Sequence, residues 1–396
     1  MTERLYYKDS ELLEFDATIV ESGEAGPPLF VVLDRSAFYP TSGGQSHDTG
    51  RLNDVPVIDV VETATGEVRH LISESIGPAG TRVRGVVDKV RRRRNRQNHT
   101  AQHILSAAFF RLYGHRTMSV HLGDEYGAIE LQVETISDEQ VREVETVANE
   151  AIADNVPVEV MFVDSRQIDT LPLRKEPQRE GELRIIRIGE FDYSACGGTH
   201  CSTSGGVGLV KIIGMDKIRG RVLIKYLAGS LAVSDYARRF EVTDDLAKSF
   251  TCHYTDLSAK VGKVRDEAAA LRRQLVEAQK ELLPIKAEQL SQNPRLCGRY
   301  KLVMDRIPGV ELSTASRLAG LVADRIAGVV VFFADDKLVL AASAQAGLHA
   351  GNLVKRLAAQ SGLKGGGNER VAQLGGVQED LSEQIQNAIV TILQNE

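Results

Sequence analysis

The chain has 396 residues, 42% of them apolar and 26% charged, with 35 Gly and 11 Pro; this excludes a disordered, collagenous or disulfide-scaffold protein and predicts more than one domain. Its 48 basic and 54 acidic residues leave a formal charge of −6, which argues against a surface that binds polyanions everywhere. No run approaches the roughly 18 apolar residues of a membrane span, and the charged start MTERLYYKDSELLEF is unlike an export signal, so a cytoplasmic protein without a membrane partner is expected.

Residues 1–87 alternate β-branched runs (ATIVES, LFVVLD, VPVIDVVE, TRVRGVVD) with Gly, Pro, Asn and Asp, the spacing of short strands in an antiparallel sheet or small β-barrel. Among them FYPTSGGQSHDTG, residues 38–50, reads as a glycine-rich loop that needs Gly43 and Gly44 for positive φ. From Asp88, suited to an N-cap, to Gly114, suited to a left-handed C-cap, DKVRRRRNRQNHTAQHILSAAFFRLYG reads as one long helix. The strands HRTMSVHLGD and YGAIELQV, the helix SDEQVREVETVANEAIADN and the strands VPVEVMFV and GELRIIRIG follow. The loop DYSACGGTHCSTSGGVG and two closing strands complete an α+β domain over residues 88–230.

Residues 231–290 turn helical. Ala247, Phe250, Tyr254, Leu257, Val261, Val264, Ala268, Leu271, Leu275, Ala278 and Leu282 recur at steps of three and four, which predicts a coiled-coil or helical-hairpin arm that Pro284 should end. Residues 291–396 alternate strands and helices, with GLKGGGNERVAQLGG as a loop and a last helix from Val377, a C-terminal α/β domain.

Two short motifs carry the chemistry. His99 and His103 lie four residues apart on the predicted helix, so both imidazoles leave one face about a turn apart. Cys196 and His200 in CGGTH share that spacing, with Gly197 and Gly198 allowing a tight fold around one ion. One thiolate and three imidazoles suit a tetrahedral Zn2+, one per chain. The helix reads HTAQH, without the glutamate that serves a metalloprotease as general base, so peptide hydrolysis falls away. Cys201 reads as a buried thiol beside His200; with only Cys252 and Cys297 besides, no disulfide framework is expected. Upstream, Arg91, Arg92, Arg93, Arg94 and Arg96 crowd the start of the same helix. They are either a solvated surface or, one to two turns before the ligands, contacts for a polyanion's phosphates.

In this order FYPTSGGQSHDTG, HTAQH and CGGTH resemble the editing region of alanyl-tRNA synthetases and their freestanding relatives, the AlaX proteins, while the glycines of residues 362–376 resemble the DHHA1-like C-terminal domain of those synthetases. The resemblance implies zinc at His99, His103, Cys196 and His200, and hydrolysis of the ester at the 3′ terminus of tRNA(Ala) carrying chiefly serine, with glycine second. It places the glycine-rich loop beside the pocket and gives the C-terminal domain tRNA binding or dimerisation. A homodimer through the arm or that domain is one expected arrangement. No room precedes residue 38 for an aminoacylation domain, so editing without charging is expected.

A site that selects serine over alanine must hydrogen-bond the extra hydroxyl. Thr100 and Gln102 between the helical ligands, Thr41 and Ser42 with Gly43 and Gly44 in the loop, and His121 in SVHLG are the candidates. Asp192 could accept a bond from a ligand imidazole, and Arg91, Arg92 and Arg94 are the candidate phosphate contacts. The competing reading is a non-catalytic tRNA-binding protein in which zinc only cross-links helix and loop.

Overall fold

A computed structural model describes residues 2–23, 29–175 and 181–396, the side chains of residues 167, 169, 170, 379 and 380 excepted. The chain divides into two compact units, Met1–Leu246 and Ala247–Glu396.

In the first unit, the strands Glu14–Gly23, Leu29–Leu33, Val68–Ile72, Val55–Glu62, Gly50–Leu52 and Arg82–Val87 close in that spatial order into an antiparallel barrel. Their alternation places Phe15, Ala17, Ile19, Val31, Leu33, Val60, Val83 and Val87 inside. A short pairing the sequence does not announce, Glu3–Arg4 beside Arg35–Ser36 in parallel, ties the N-terminal segment to the barrel.

Helix α1 (Lys89–Tyr113) leaves the barrel with Asp88 accepting bonds from the N–H groups of Val90 and Arg91, and stops at Gly114 with φ of 67°. Both ends are made by the expected residues, because caps depend on immediate neighbours. From Gln97 to Phe109 every residue of α1 is buried. This central helix packs on α2 (Asp138–Ala153) and shares a core with Ile129, Ile186, Ile188, Val210, Ile224 and Tyr226 from two antiparallel sheets. One sheet runs Val210–Ile218, Arg221–Ala228, Gly127–Leu131, Thr117–Leu122, and the other Val158–Asp164, Glu182–Ile188, Asp192–Ala195. The last strand lies where a loop is expected. Pairing of Ile186 with Ser194 and Ile188 with Asp192 makes it a strand, and the period of two buries Asp192 and Ser194 together. Helix α3 (Ser230–Ser249) follows.

In the second unit, helix α4 (Leu257–Leu290) carries Pro284 within it. The expectation that Pro284 ends the helix is overturned by packing. Leu283 and Ala287, on either side of it, are buried against Val303, Leu318 and Val322, and that burial offsets the lost N–H bond. The expected seam is not a buried core: Tyr254, Val261, Val264, Leu271, Leu275 and Leu282 are exposed. Periodicity shows an apolar stripe and does not say what covers it.

Six strands form the sheet of this unit in the order Arg295–Cys297, Tyr300–Arg306, Val329–Ala334, Lys337–Ala342, Val371–Gly375, Lys364–Gly367, with the wholly buried Val329–Ala334 within it. Helix α5 (Leu312–Ile326) packs with the end of α4 on one core, and helices α6 (Ala350–Ser361) and α7 (Glu379–Gln394) on another. The glycines expected in a loop form the edge strand Lys364–Gly367, held by its antiparallel partner despite their weak strand preference. Lys364 stands exposed on that edge, and Arg370 pairs with Asp324 at 2.5 Å. Among the described residues no helix is long and apolar enough to cross a membrane.

Candidate metal centre and its glycine-rich loop

His99 and His103 leave one face of α1, their rings 5.2 Å apart between centroids. His200 closes on both, at 4.4 Å from the His99 ring and 4.7 Å from that of His103. Cys196 Sγ lies 3.3 Å from His99 Nε2 and 3.4 Å from His200 Nε2, and one ligand atom from each of the four residues falls within 4.8 Å of every other. Two stretches of chain separated by 97 residues thus meet in one pocket.

The second nitrogen of each ring is engaged elsewhere. His99 Nδ1 lies 2.8 Å from Gln45 Oε1, His103 Nδ1 2.9 Å from Asp192 Oδ2, and His200 Nδ1 3.3 Å from Thr100 Oγ1. Gln45 Oε1 also accepts the Thr199 backbone N–H at 3.1 Å, which fixes that atom as the oxygen. Amide oxygen and carboxylate only accept, so His99 and His103 carry hydrogen on Nδ1. The His99 Nε2 therefore faces the Cys196 sulfur. A tetrahedral zinc ion, with bonds of about 2.0–2.3 Å, holds its ligand atoms roughly 3.3–3.6 Å apart; the two sulfur–nitrogen separations lie in that range. The donor set fits such an ion.

The electrostatics favour a thiolate at Cys196. Enclosure alone would raise the Cys196 thiol, but His99, His200 and His103 outweigh it and hold the thiol well below its ordinary range. Burial and the neighbouring His99 push His200 down to about 3, so its imidazole is neutral. Burial opposes protonation of His103 as well, yet Asp192 and Cys196 raise it to about 9. Asp192, despite burial, is held down at about 2 by His103 and Arg174. Arg174 Nε lies 3.0 Å from Asp192 Oδ1, and Ser194 Oγ donates to Asp192 Oδ2 at 2.9 Å, which secures the carboxylate behind His103.

The glycine-rich loop is sewn in at two points. Gln45, 1% exposed, spans His99 and Thr199, its Nε2 donating to Thr199 Oγ1 at 2.9 Å. Asp48 is fully buried and pairs with Arg92 at 2.6 Å. Before these anchors, Thr41, Ser42, Gly43 and Gly44 are exposed and form a rim. Gly44 has φ of 84°, and a Cβ there would stand 2.7 Å from the Val120 carbonyl oxygen.

The remaining expected site residues separate by accessibility. Thr100 is completely buried; its hydroxyl accepts the Cys201 N–H at 3.0 Å and meets His200, so it faces the four-residue cluster. Gln102 is buried with Nε2 donating to Ser106 Oγ at 2.9 Å. His121 is exposed on its strand, its ring 6.1 Å from Tyr126, and is not part of the four-residue cluster. The arginine run also divides. Arg92 is 1% exposed; it reaches Asp48 and the carbonyls of Ala37 and Ser10, so it offers nothing to a phosphate. Its place is inside because Asp48 and these carbonyls converge there. Arg91 and Arg94 are partly exposed and share Asp124, and Arg96 pairs with Glu11 at 2.7 Å.

Comparison with known proteins bears on the same segments. Residues 183–223 match the threonyl and alanyl tRNA synthetase second additional domain, and residues 300–395 match the DHHA1 domain. The alanine–tRNA ligase of Methanococcus maripaludis is 30% identical over 404 residues, covering 99% of this chain and 44% of the ligase. The alanyl-tRNA editing protein AlaX-L of Pyrococcus horikoshii is 29% identical over 386 residues, 94% of each chain.

Over nearly its whole length the chain is similar to alanyl-tRNA synthetases and AlaX proteins.

It spans 44% of the length of the matched ligase. The C-Ala domain of Aquifex aeolicus alanyl-tRNA synthetase covers 26% of this chain and 99% of its own, at 22% identity and a TM-score of 0.24. Three residues that build the four-residue cluster lie outside the expected set: Gln45, Arg174 and Arg184. Arg184 donates through Nη1 to the carbonyls of Cys196 at 2.6 Å and Gly198 at 3.0 Å, and through Nε to that of Tyr7 at 3.1 Å, and so shapes the CGGTH turn. A signal existed for it: an arginine flanked by Leu183 and Ile185 in a buried strand needs internal acceptors. Gln45 follows the glycine pair directly, but its partners are distant in sequence, and Arg174 has no local signal.

Proposed function

We propose that the chain is an aminoacyl-tRNA deacylase that hydrolyses the ester of mischarged tRNA(Ala), chiefly with serine and secondarily with glycine, at a centre holding one zinc ion. The observation that carries the proposal is the closing of His99, His103, Cys196 and His200 beside Gln45, the residue that follows the exposed stretch of the glycine-rich loop. The naming of the P. horikoshii relative as an editing protein supports it.

His99, His103, Cys196 and His200 would hold the ion, which when bound supplies Lewis acidity and a fixed positive charge for orienting the substrate's amine or ribose hydroxyl. Four protein ligands complete a tetrahedron, which favours orientation over generation of a hydroxide. Gln45, Asp192 and Thr100 hold the three imidazoles in place. The exposed hydroxyls of Thr41 and Ser42 are the groups positioned to meet the aminoacyl end. Of the three candidate phosphate contacts, Arg91 and Arg94, which share one carboxylate between them, are the ones left to meet the acceptor-stem phosphates. Serine selection then rests on a hydrogen bond that alanine cannot make.

Deacylation of Ser-tRNA(Ala) and Ala-tRNA(Ala) by the zinc-quantified protein tests the reading. The serine ester is expected to be cleaved and the alanine ester spared, and Cys196→Ala should lose both metal and activity. Full activity in Cys196→Ala would overturn it. The closed ligand set also suits a purely structural ion in a tRNA-binding protein. Under that reading chelation unfolds the first unit, whereas an editing centre loses activity with its fold retained.

A further inference from the structure

We infer that Gln45 is a positioning residue, the strut through which the glycine-rich loop and the metal centre sense one another. The inference rests on the zinc reading above and extends it from the ligands to the loop.

Gln45 is the place where three separate segments meet. Its Oε1 receives two hydrogens, from His99 Nδ1 on α1 and from the Thr199 N–H in the CGGTH segment, while its Nε2 donates to Thr199 Oγ1. One buried amide therefore clamps both halves of the ligand set. Its backbone belongs to the loop: Ser42 and Gln45 exchange N–H bonds at 3.1 and 2.9 Å, and the neighbouring Gly44 carbonyl accepts the Leu122 N–H at 2.9 Å. A shift of the exposed Thr41–Gly44 rim must move Gln45, and a shift of Gln45 must rotate His99 or release its Nδ1 hydrogen. Outer partners that orient a ligating histidine commonly change metal affinity by roughly 10–100-fold when removed. Coupling is reciprocal, so bound metal must in turn hold the loop.

The full chain tests this with zinc alone. Affinity is read by competition with a chromogenic chelator, and backbone hydrogen exchange is followed at the Ser42 and Gln45 amides with and without zinc. In the wild type, zinc is expected to slow exchange at both amides. Gln45→Met should weaken zinc roughly 10–100-fold and abolish that response. Gln45→Glu keeps an acceptor for His99 and Thr199 and should hold affinity within about threefold, a rescue that a merely space-filling role would not produce. Equal affinity in Gln45→Met and wild type, or loop exchange indifferent to zinc in the wild type, would overturn the strut while leaving the centre intact. A wild-type chain that takes up no zinc would overturn both. Should Gln45→Met fail to fold, the wild-type exchange and the Gln45→Glu affinity decide the matter.

Discussion

Gly198 has no room for a side chain: a Cβ there would stand 2.1 Å from His99 Cε1. Backbone and imidazole must approach this closely for the CGGTH turn to wrap the helix, which gives the second glycine of the motif its physical reason. Gly198→Ala should displace His99 and weaken zinc binding by at least tenfold; undiminished affinity in a chelator titration would refute the assignment. Thr100 acts at the same scale. Thr100→Val removes the acceptor of the buried Cys201 N–H and of His200, and should cost about 1–3 kcal/mol in urea unfolding of the first unit. Arg92 and Asp48 form the third residue-level device. With side chains 1% and 0% exposed, Arg92→Met leaves a buried carboxylate unpaired and should cost about 3–5 kcal/mol, whereas the pair replacement Arg92→Met with Asp48→Asn should cost less. The double-mutant cycle measures the difference.

The barrel carries a titratable group outside the four-residue cluster. His70 is fully buried, donating from Nδ1 to the Val31 carbonyl at 3.2 Å and meeting Ser36 Oγ through Nε2 at 2.7 Å. Ser36 Oγ also accepts the Phe38 N–H, so its own hydrogen points to the imidazole, which is neutral. Burial pushes His70 down to about 4. The unfolded chain, with a histidine near 6.5, binds the proton first as pH falls. The barrel's stability is therefore complete above pH ~6.5 and declines toward pH ~4, by about 2 kcal/mol at pH 5. Urea midpoints at pH 7 and 5 should show the loss, reduced in a variant combining His70→Phe with Ser36→Ala. Helix α4 offers a test of a different kind. Pro284→Ala restores a helical N–H and should stabilise the second unit by about 1–3 kcal/mol if the proline is merely tolerated.

On the scale of the molecule, the two units have separate apolar cores, and the expected zinc ligands all lie in the first. Calorimetry should resolve two transitions, only one of them sensitive to metal. Zinc at about 100 times its dissociation constant should stabilise that transition by about 2.7 kcal/mol and leave the other unmoved. A shift of both, or of neither, contradicts the assignment of the centre to Met1–Leu246.

What was legible in the sequence is what local spacing controls. Asp88 and Gly114 bound α1 because a cap is made with residues two to four positions away, and the alternating strands of the barrel announce their inward face by a period of two. The four clustered residues were legible because each pair is itself a local motif, four residues apart on either side of a turn or of a tight loop. Tertiary structure decided the rest, because the deciding partners are far apart in the chain. Arg92 is indistinguishable from Arg93 in the run, yet Asp48, 44 residues away, draws it inside. Gln45 looks like any loop amide until His99, 54 residues on, supplies its partner. Leu283 and Ala287 carry the helix through a proline because distant residues bury them, and the glycines after Lys364 become a strand because a neighbour satisfies their backbone. Sequence alone determined which residues could bind, cap or pack; closure of the chain determined which of them face one another, since desolvation and hydrogen-bond satisfaction act only between groups the fold has already brought together.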